Sequence, residues 1–211
     1  MPASRIHLVR HGEVHNPTGI LYGRKPHFSL SETGHKMAAL AARDLKAQGR
    51  EIARLVTSPL LRTRESAEPI AALFNLEVNV DDRIIEPTNI FEGDRVSFGA
   101  LLRKPSRLFK IWNPRRPSWG EPYRSIEARM LAALEDHAAN TTGGDLVLVS
   151  HQLPIFVTRR SIEGQTFVHN PRERECALSS ITSLERVGSA WKVVDYREPA
   201  RAVHASDGGA V

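Results

Sequence analysis

The chain has 211 residues, of which 41% are hydrophobic and 25% charged, with a formal net charge of +5. These are ordinary values for a soluble globular protein of one large domain. No apolar run reaches membrane-spanning length, the N-terminus meets polar residues too early for a signal peptide, and the single cysteine, Cys176, excludes an internal disulfide, so a cytoplasmic location is expected.

The first apolar run, residues 6–9 within RIHLVRHGEV, reads as a buried strand that passes straight into Arg10-His11-Gly12-Glu13. Gly12 allows a sharp turn or a close backbone approach. His7, His11 and His15 recur every fourth residue, a metal-binding spacing on a helix. Because Gly12 breaks what reads as a strand, no metal is assigned, and His7 is expected to be a strand residue with a satisfied partner. In SLSETG, Ser29 and Glu32 have capping-box spacing ahead of a helix bearing Met37, Leu40, Ala41 and Leu45. Residues 53–57 form the next strand. SPLLR then opens a helix with Ser58 as N-cap and Pro59 as its first residue, continuing through Ala67, Ile70 and Ala71. Residues 76–80 form a third strand.

From about residue 86 to 123 the pattern is irregular and interrupted by Pro87, Pro105, Pro114, Pro117 and Pro122. Ile126, Met130, Ala133, Leu134 and His137 then share one helical face, and DLVLVS (145–150) is a buried strand. Residues 177–184 and 191–196 flank ERVGSA as a hairpin, and the small-residue-rich end of the chain reads as frayed. The expectation is one α/β domain, residues 1–197, with a lid inserted at about 87–123 and a flexible tail at 198–211. Its architecture is a three-layer sandwich: a mainly parallel, mixed sheet with helices on both faces.

Ligands of open α/β sheets bind beyond the carboxyl ends of strands. Here those ends carry Arg10-His11, then Ser58 with Arg62 a turn into the next helix, then His151. Two imidazoles and two guanidiniums brought together beside a helix N-terminus suit a phosphoryl group. Arginine grips its oxygens in pairs, and histidine can attack phosphorus or donate a proton.

The blocks LVRHGEV, SPLLRTRESA, DDRIIE, WGEPY…EAR and VLVSHQ resemble, in this order, the signature blocks of the histidine phosphatase superfamily, the phosphoglycerate-mutase-like fold. The resemblance runs from about residue 6 to 184. It implies that His11 is the nucleophile that becomes phosphohistidine, and that Arg10, Arg62 and His151 form the phosphate pocket. Glu86 matches the general acid and base, and Asn16 matches a polar loop residue touching phosphate. No cofactor or metal is implied, and the partner is a small phosphorylated molecule, without nucleic acid or membrane. Oligomeric state is not read from the sequence.

Several positions depart from the family pattern. Val14 stands where many members have threonine, and the loop asparagine comes one residue early. Pro87 directly follows the acid, and a shifted register makes Glu92 the rival proton donor. Gly120-Glu121-Pro122 replaces Gly-Glu-Ser, and Gln152 follows the second histidine in place of glycine, with its backbone N–H still able to reach phosphate. The basic run LLRKPSRLFKIWNPRR (101–116), with Phe109 and Trp112, reads as a lid that steers anions rather than as a nucleic-acid surface. Hydrolysis of phosphomonoesters is the leading function. The rivals are mutase-type transfer, for which Arg115-Arg116 resembles a mutase arginine pair, and a phospho-ligand binding module without turnover.

Overall fold

The computed structural model describes residues 2–94, 120–170 and 174–203. Most of the expected lid, with Phe109, Trp112, Arg115 and Arg116, and the last eight residues lie outside the described residues. In chain order the elements are β1 (Arg5–Arg10), α1 (Glu32–Ala47), β2 (Ile52–Thr57), α2 (Leu61–Phe74), β3 (Val78–Val80), a 3-10 turn (Asp82–Ile84), α3 (Tyr123–Ala139), β4 (Asp145–Ser150), α4 (Gln152–Ile162), β5 (Ile181–Val187) and β6 (Ala190–Arg197).

They form one six-stranded sheet in the order β3-β2-β4-β1-β5-β6. The first four strands of that order are parallel, whereas β5 and β6 are antiparallel, so the sheet is mainly parallel and mixed. A parallel strand covered on both faces needs a continuous apolar run, and every residue of β4 is buried. Alternation along β1 and β4 sends Ile6, Leu8, Leu146 and Leu148 to one side, where Ile126, Met130 and Leu134 of α3 and Ile155 of α4 cover them. Val9, Val147 and Val149 face the other side, against Ala41 and Leu45 of α1 and Ala67 and Ile70 of α2. Full burial of such side chains contributes about 1.5–3 kcal/mol each. The three-layer α/β sandwich is therefore present. No helix among the described residues is long and apolar enough to cross a membrane.

Four local expectations need correction. The N-cap of α1 is Ser31, not Ser29; its hydroxyl accepts from the Gly34 N–H at 2.9 Å, so Glu32 is the first helical residue. Helix α2 begins at Leu61 after an extended Leu60, with no side-chain cap. Ser58 is thus left out of the helix and its hydroxyl faces His151 instead. The third strand is three residues, not five, at the exposed edge of the sheet. Residues 198–203, expected in the tail, form turns that bury Ala200 against Met37 and Leu178.

Candidate active site

Parallel pairing sets β1, β2 and β4 with their carboxyl ends at one edge of the sheet. Backbone bonds continue past the strands: His11 N–H donates to Ser150 O at 3.1 Å, and Ser58 N–H to Val149 O at 3.0 Å. These bonds bring His11, Ser58 and His151 side by side. Glu86 arrives from the turn after β3, whose last carbonyl, that of Ile84, accepts from the Ser150 hydroxyl at 2.6 Å.

His11 is 2% exposed, and its Nδ1 lies 2.8 Å from the carbonyl of Gly12. A carbonyl can only accept, so Nδ1 carries the proton and Nε2 keeps its lone pair. Burial pushes the His11 pKa well below the usual histidine value, and the charges of Arg62 and Arg10 push it the same way, against the Gly12 bond. The ring is therefore neutral at ordinary pH, with one nitrogen fixed and the other open.

The turn bearing this ring is held from two sides. Gly12 N–H donates to Ser66 Oγ of α2 at 3.0 Å. On the other side Gly12 lies against Gly34 of α1 so closely that a Cβ on Gly12 would collide with the Gly34 carbonyl, and one on Gly34 with the Glu13 carbonyl. The Ser31 hydroxyl donates to Glu13 at 2.6 Å and fastens the helix start to the same turn.

The two arginines are anchored through backbone carbonyls. Arg10 Nη1 donates to Cys176 O at 2.7 Å and Arg62 Nη2 to Gly23 O at 2.7 Å, with the Arg62 guanidinium 4.8 Å from the Tyr22 ring. Both side chains are essentially fully buried. The ring of His151 is 5.3 Å from that of His11, centroid to centroid. Its Nε2 lies 2.8 Å from Ser58 Oγ and its Nδ1 lies 3.6 Å from Glu86 Oε2. Burial, reinforced by Arg62, His11 and Arg10, pushes His151 well below the usual value, so this ring is neutral. Nε2 thus shares a hydrogen bond with the Ser58 hydroxyl, and Nδ1 faces Glu86. Burial raises the Glu86 carboxyl above the usual carboxylate range against the pull of Arg62, Arg10, Arg174 and Arg129.

Glu92 sits in different surroundings. Its carboxylate accepts the backbone N–H groups of Arg24 at 3.1 Å and Asn89 at 3.2 Å, which ties two loops together. Asn16 closes its own loop, donating to Ile20 O at 2.9 Å and accepting from Ile20 N–H. Gln152, first residue of α4, accepts from Arg174 Nη1 at 3.3 Å. Glu121 grips Arg129 with both oxygens, at 2.9 and 3.0 Å, and Ser125 supplies a hydroxyl to it one turn into α3. Arg24 bridges Glu121 to the Glu86 carbonyl.

The structure thus brings Arg10, His11, Arg62, Glu86 and His151 together. It places Glu92 and Asn16 in loop-holding bonds and Gln152 on a neighbouring arginine. Sequence reasoning missed Ser66, Tyr22 and Arg174. Ser66 was legible in principle, since it lies one helical turn after Arg62. Arg174 had no local signal.

A family profile described as histidine phosphatase superfamily (branch 1) matches residues 6–199. The Mycobacterium tuberculosis protein Rv0525 is 47% identical over 198 residues, covering 93% of this chain and 97% of that protein. Phosphoserine phosphatase 1 of Hydrogenobacter thermophilus is 33% identical over 157 residues, 72% of each chain. Among solved structures, Bacillus stearothermophilus YhfR superposes with a TM-score of 0.78 at 23% identity, covering 91% of this chain and 96% of that one.

Proposed function

The chain belongs to the histidine phosphatase superfamily, branch 1, and from that membership we propose that it hydrolyses phosphomonoesters through a phosphohistidine on His11. The observation that carries this reading is the locked tautomer: Nδ1 is tied to Gly12 O, and Nε2 is left open beside two anchored guanidiniums and a second imidazole.

In the first step the Nε2 lone pair of His11 attacks phosphorus, and the bond to the ester oxygen breaks as the N–P bond forms. Arg10, Arg62 and His151 answer the charge on the non-bridging oxygens, which in a water-poor pocket is worth more than in solution. Glu86, whose raised pKa favours the protonated form, gives its proton to the departing alkoxide, a contribution of about 10²–10⁴-fold. In the second step the Glu86 carboxylate takes a proton from a water molecule. That oxygen attacks phosphorus, the N–P bond breaks, and inorganic phosphate leaves with His11 neutral and Glu86 protonated again. The guanidiniums supply the positive charge, so the scheme calls for no metal.

Glu86 is preferred over Glu92 as the donor because its carboxyl faces His151, whereas that of Glu92 is engaged by two backbone N–H groups. The name of the 33% identical relative, a phosphoserine phosphatase, supports transfer to water. The test is phosphate release from a panel of phosphomonoesters, with His11→Ala as control. The expected result is release that vanishes in the variant. Hydrolysis surviving the substitution overturns the reading; transfer between glycerate positions faster than release favours a mutase, and binding without either reaction favours a binding module.

A further inference from the structure

Glu121 belongs to the block WGEPY…EAR, which gives no residue to the scheme above. It lies just before helix α3, yet most of what it touches serves the segment that carries Glu86. Regular structure does little to hold that segment. The 3-10 turn ends at Ile84, Ile85 is extended, and Pro87 has no N–H to donate. Side chains from elsewhere hold it instead, through its carbonyls. The Arg83 carbonyl accepts from Arg129 Nη1 at 2.6 Å, the Ile84 carbonyl from Ser150 Oγ at 2.6 Å, and the Glu86 carbonyl from Arg24 Nε.

Two of these three holders share one anchor. Glu121 accepts from Arg129 Nε and Nη2 at 2.9 and 3.0 Å, and from Arg24 Nη2 at 3.4 Å. Burial disfavours its charge, but bonds from Arg129 and Ser125 outweigh burial and hold the carboxyl below the usual carboxylate range. Glu121 is therefore ionised, and its bonds to the two guanidiniums are charge-assisted, the stronger and more directional kind. The backbone is tied to the same segment. Glu121 N–H donates to Thr88 O at 3.3 Å, Asn89 pairs with Gly120 in an isolated β-bridge, and a Cβ on Gly120 would collide with the Thr88 carbonyl. Residues 83–89 thus lie in a clamp, with one arginine on the carbonyl of residue 83, another on that of residue 86, and a single carboxylate joining both.

The proposed chemistry needs such a clamp. Glu86 must give a proton to an alkoxide and then take one from water, so its carboxyl cannot be committed to a permanent bond. Its place has to be set by its backbone. A misplacement of about 1 Å in a reacting group can cost on the order of 10²-fold in rate.

We infer that Glu121 is a positioning residue: through Arg24 and Arg129 it fixes the backbone around Glu86 and so aims the carboxyl that passes the proton. This rests on the phosphatase reading, with Glu86 as the donor.

The test compares glycerol 3-phosphate with nitrophenyl phosphate. In kcat/KM, which covers the steps up to cleavage of the ester, departure of the alkoxide needs the proton and departure of nitrophenolate does not. Glu121→Ala should lower kcat/KM on glycerol 3-phosphate by about 10–100-fold, through kcat rather than KM, with little change on nitrophenyl phosphate. Glu121→Gln, which keeps one acceptor oxygen, should lose less. Arg24→Met, a change at a more exposed side chain, should reproduce the pattern even if the Glu121 variants fold poorly. In a Glu86→Gln background none of these substitutions should cost anything further, because they act through a group already removed. An equal loss on both esters, or a full further loss in the Glu86→Gln background, means that the network only supports the fold and overturns the inference. Glu121 and Arg24 variants that match the wild type while Glu86→Gln shows its leaving-group dependence overturn the inference alone. Hydrolysis that survives His11→Ala, or a Glu86→Gln variant with no leaving-group dependence, overturns the phosphatase reading or its donor, and the inference with it.

Discussion

His7 and His11 lie four residues apart, one in β1 and one just beyond it, and are almost equally buried, at 1% and 2% exposure. His7 has both ring nitrogens engaged: Nδ1 is 2.9 Å from Ser183 Oγ on β5 and Nε2 is 3.2 Å from Asp145 Oδ2 on β4. Burial works to raise the Asp145 carboxyl, but hydrogen bonds from Arg50 and His7 outweigh it and hold it at about 2. The carboxylate is therefore ionised and accepts from Nε2–H. Serine, histidine and aspartate in a row suggest hydrolytic chemistry, yet each has its hydrogen bonds answered inside the sheet. His11 has one nitrogen fixed to a backbone carbonyl and the other open. Burial does not distinguish these two histidines; the unanswered nitrogen does.

Substitution at the two histidines should separate activity from stability. His11→Asn should lower kcat/KM by at least about 10⁴-fold while leaving the denaturant midpoint nearly unchanged, as nucleophile substitutions do. A parallel loss of stability would mean that His11 also serves the fold. Within the pocket, Glu86→Gln should cost about 10²–10⁴-fold on alkyl phosphates and far less on nitrophenyl phosphate, whose leaving group needs no proton. Glu92→Gln should lower the melting temperature without this leaving-group dependence; the reverse pattern would make Glu92 the donor. His7→Leu should destabilise by about 2–3 kcal/mol, because in a buried site Ser183 loses its partner and Asp145 Oδ2 keeps only Arg50. Activity per folded molecule should survive.

The smallest effect is that of acid. Asp145 has a folded pKa below its unfolded one, so its contribution is present above pH 4 and is lost as pH falls toward 2. That loss amounts to about 2 kcal/mol, read as a fall in urea midpoint, and it should be absent from Asp145→Asn.

The contrast was partly legible beforehand. The buried runs at β1 and β4, and the residues just beyond them, give the sheet and place Arg10, His11 and His151, because a strand's carboxyl end is a local property of the chain. Arg62 followed from its helix. Ser58 was misread: its position before Pro59 imitates a cap, but its hydroxyl is directed by a partner 93 residues away. Helix α4 went unrecognised, since LPIFVTRRSI follows the strand without a cap or a clear polar face and buries five consecutive residues from Pro154 to Thr158. Arg174 carries no such signal, because the residues that hold it, His169 and Gln152, lie five and 22 residues away. Register between distant segments decides such positions, and no short window of sequence contains it.

The contact between Gly12 and Gly34 has a consequence for how the pocket tolerates inherited variation. Two bare backbones, one under the His11 ring and one in the first turn of α1, touch where not even a methyl group fits. Any side chain at Gly34 must therefore tilt the histidine or drive the helix away, although that residue meets no reactant. A survey of tolerated mutations would mark it as indispensable and mistake a spacer for a participant, while the outer face of the same helix drifts freely.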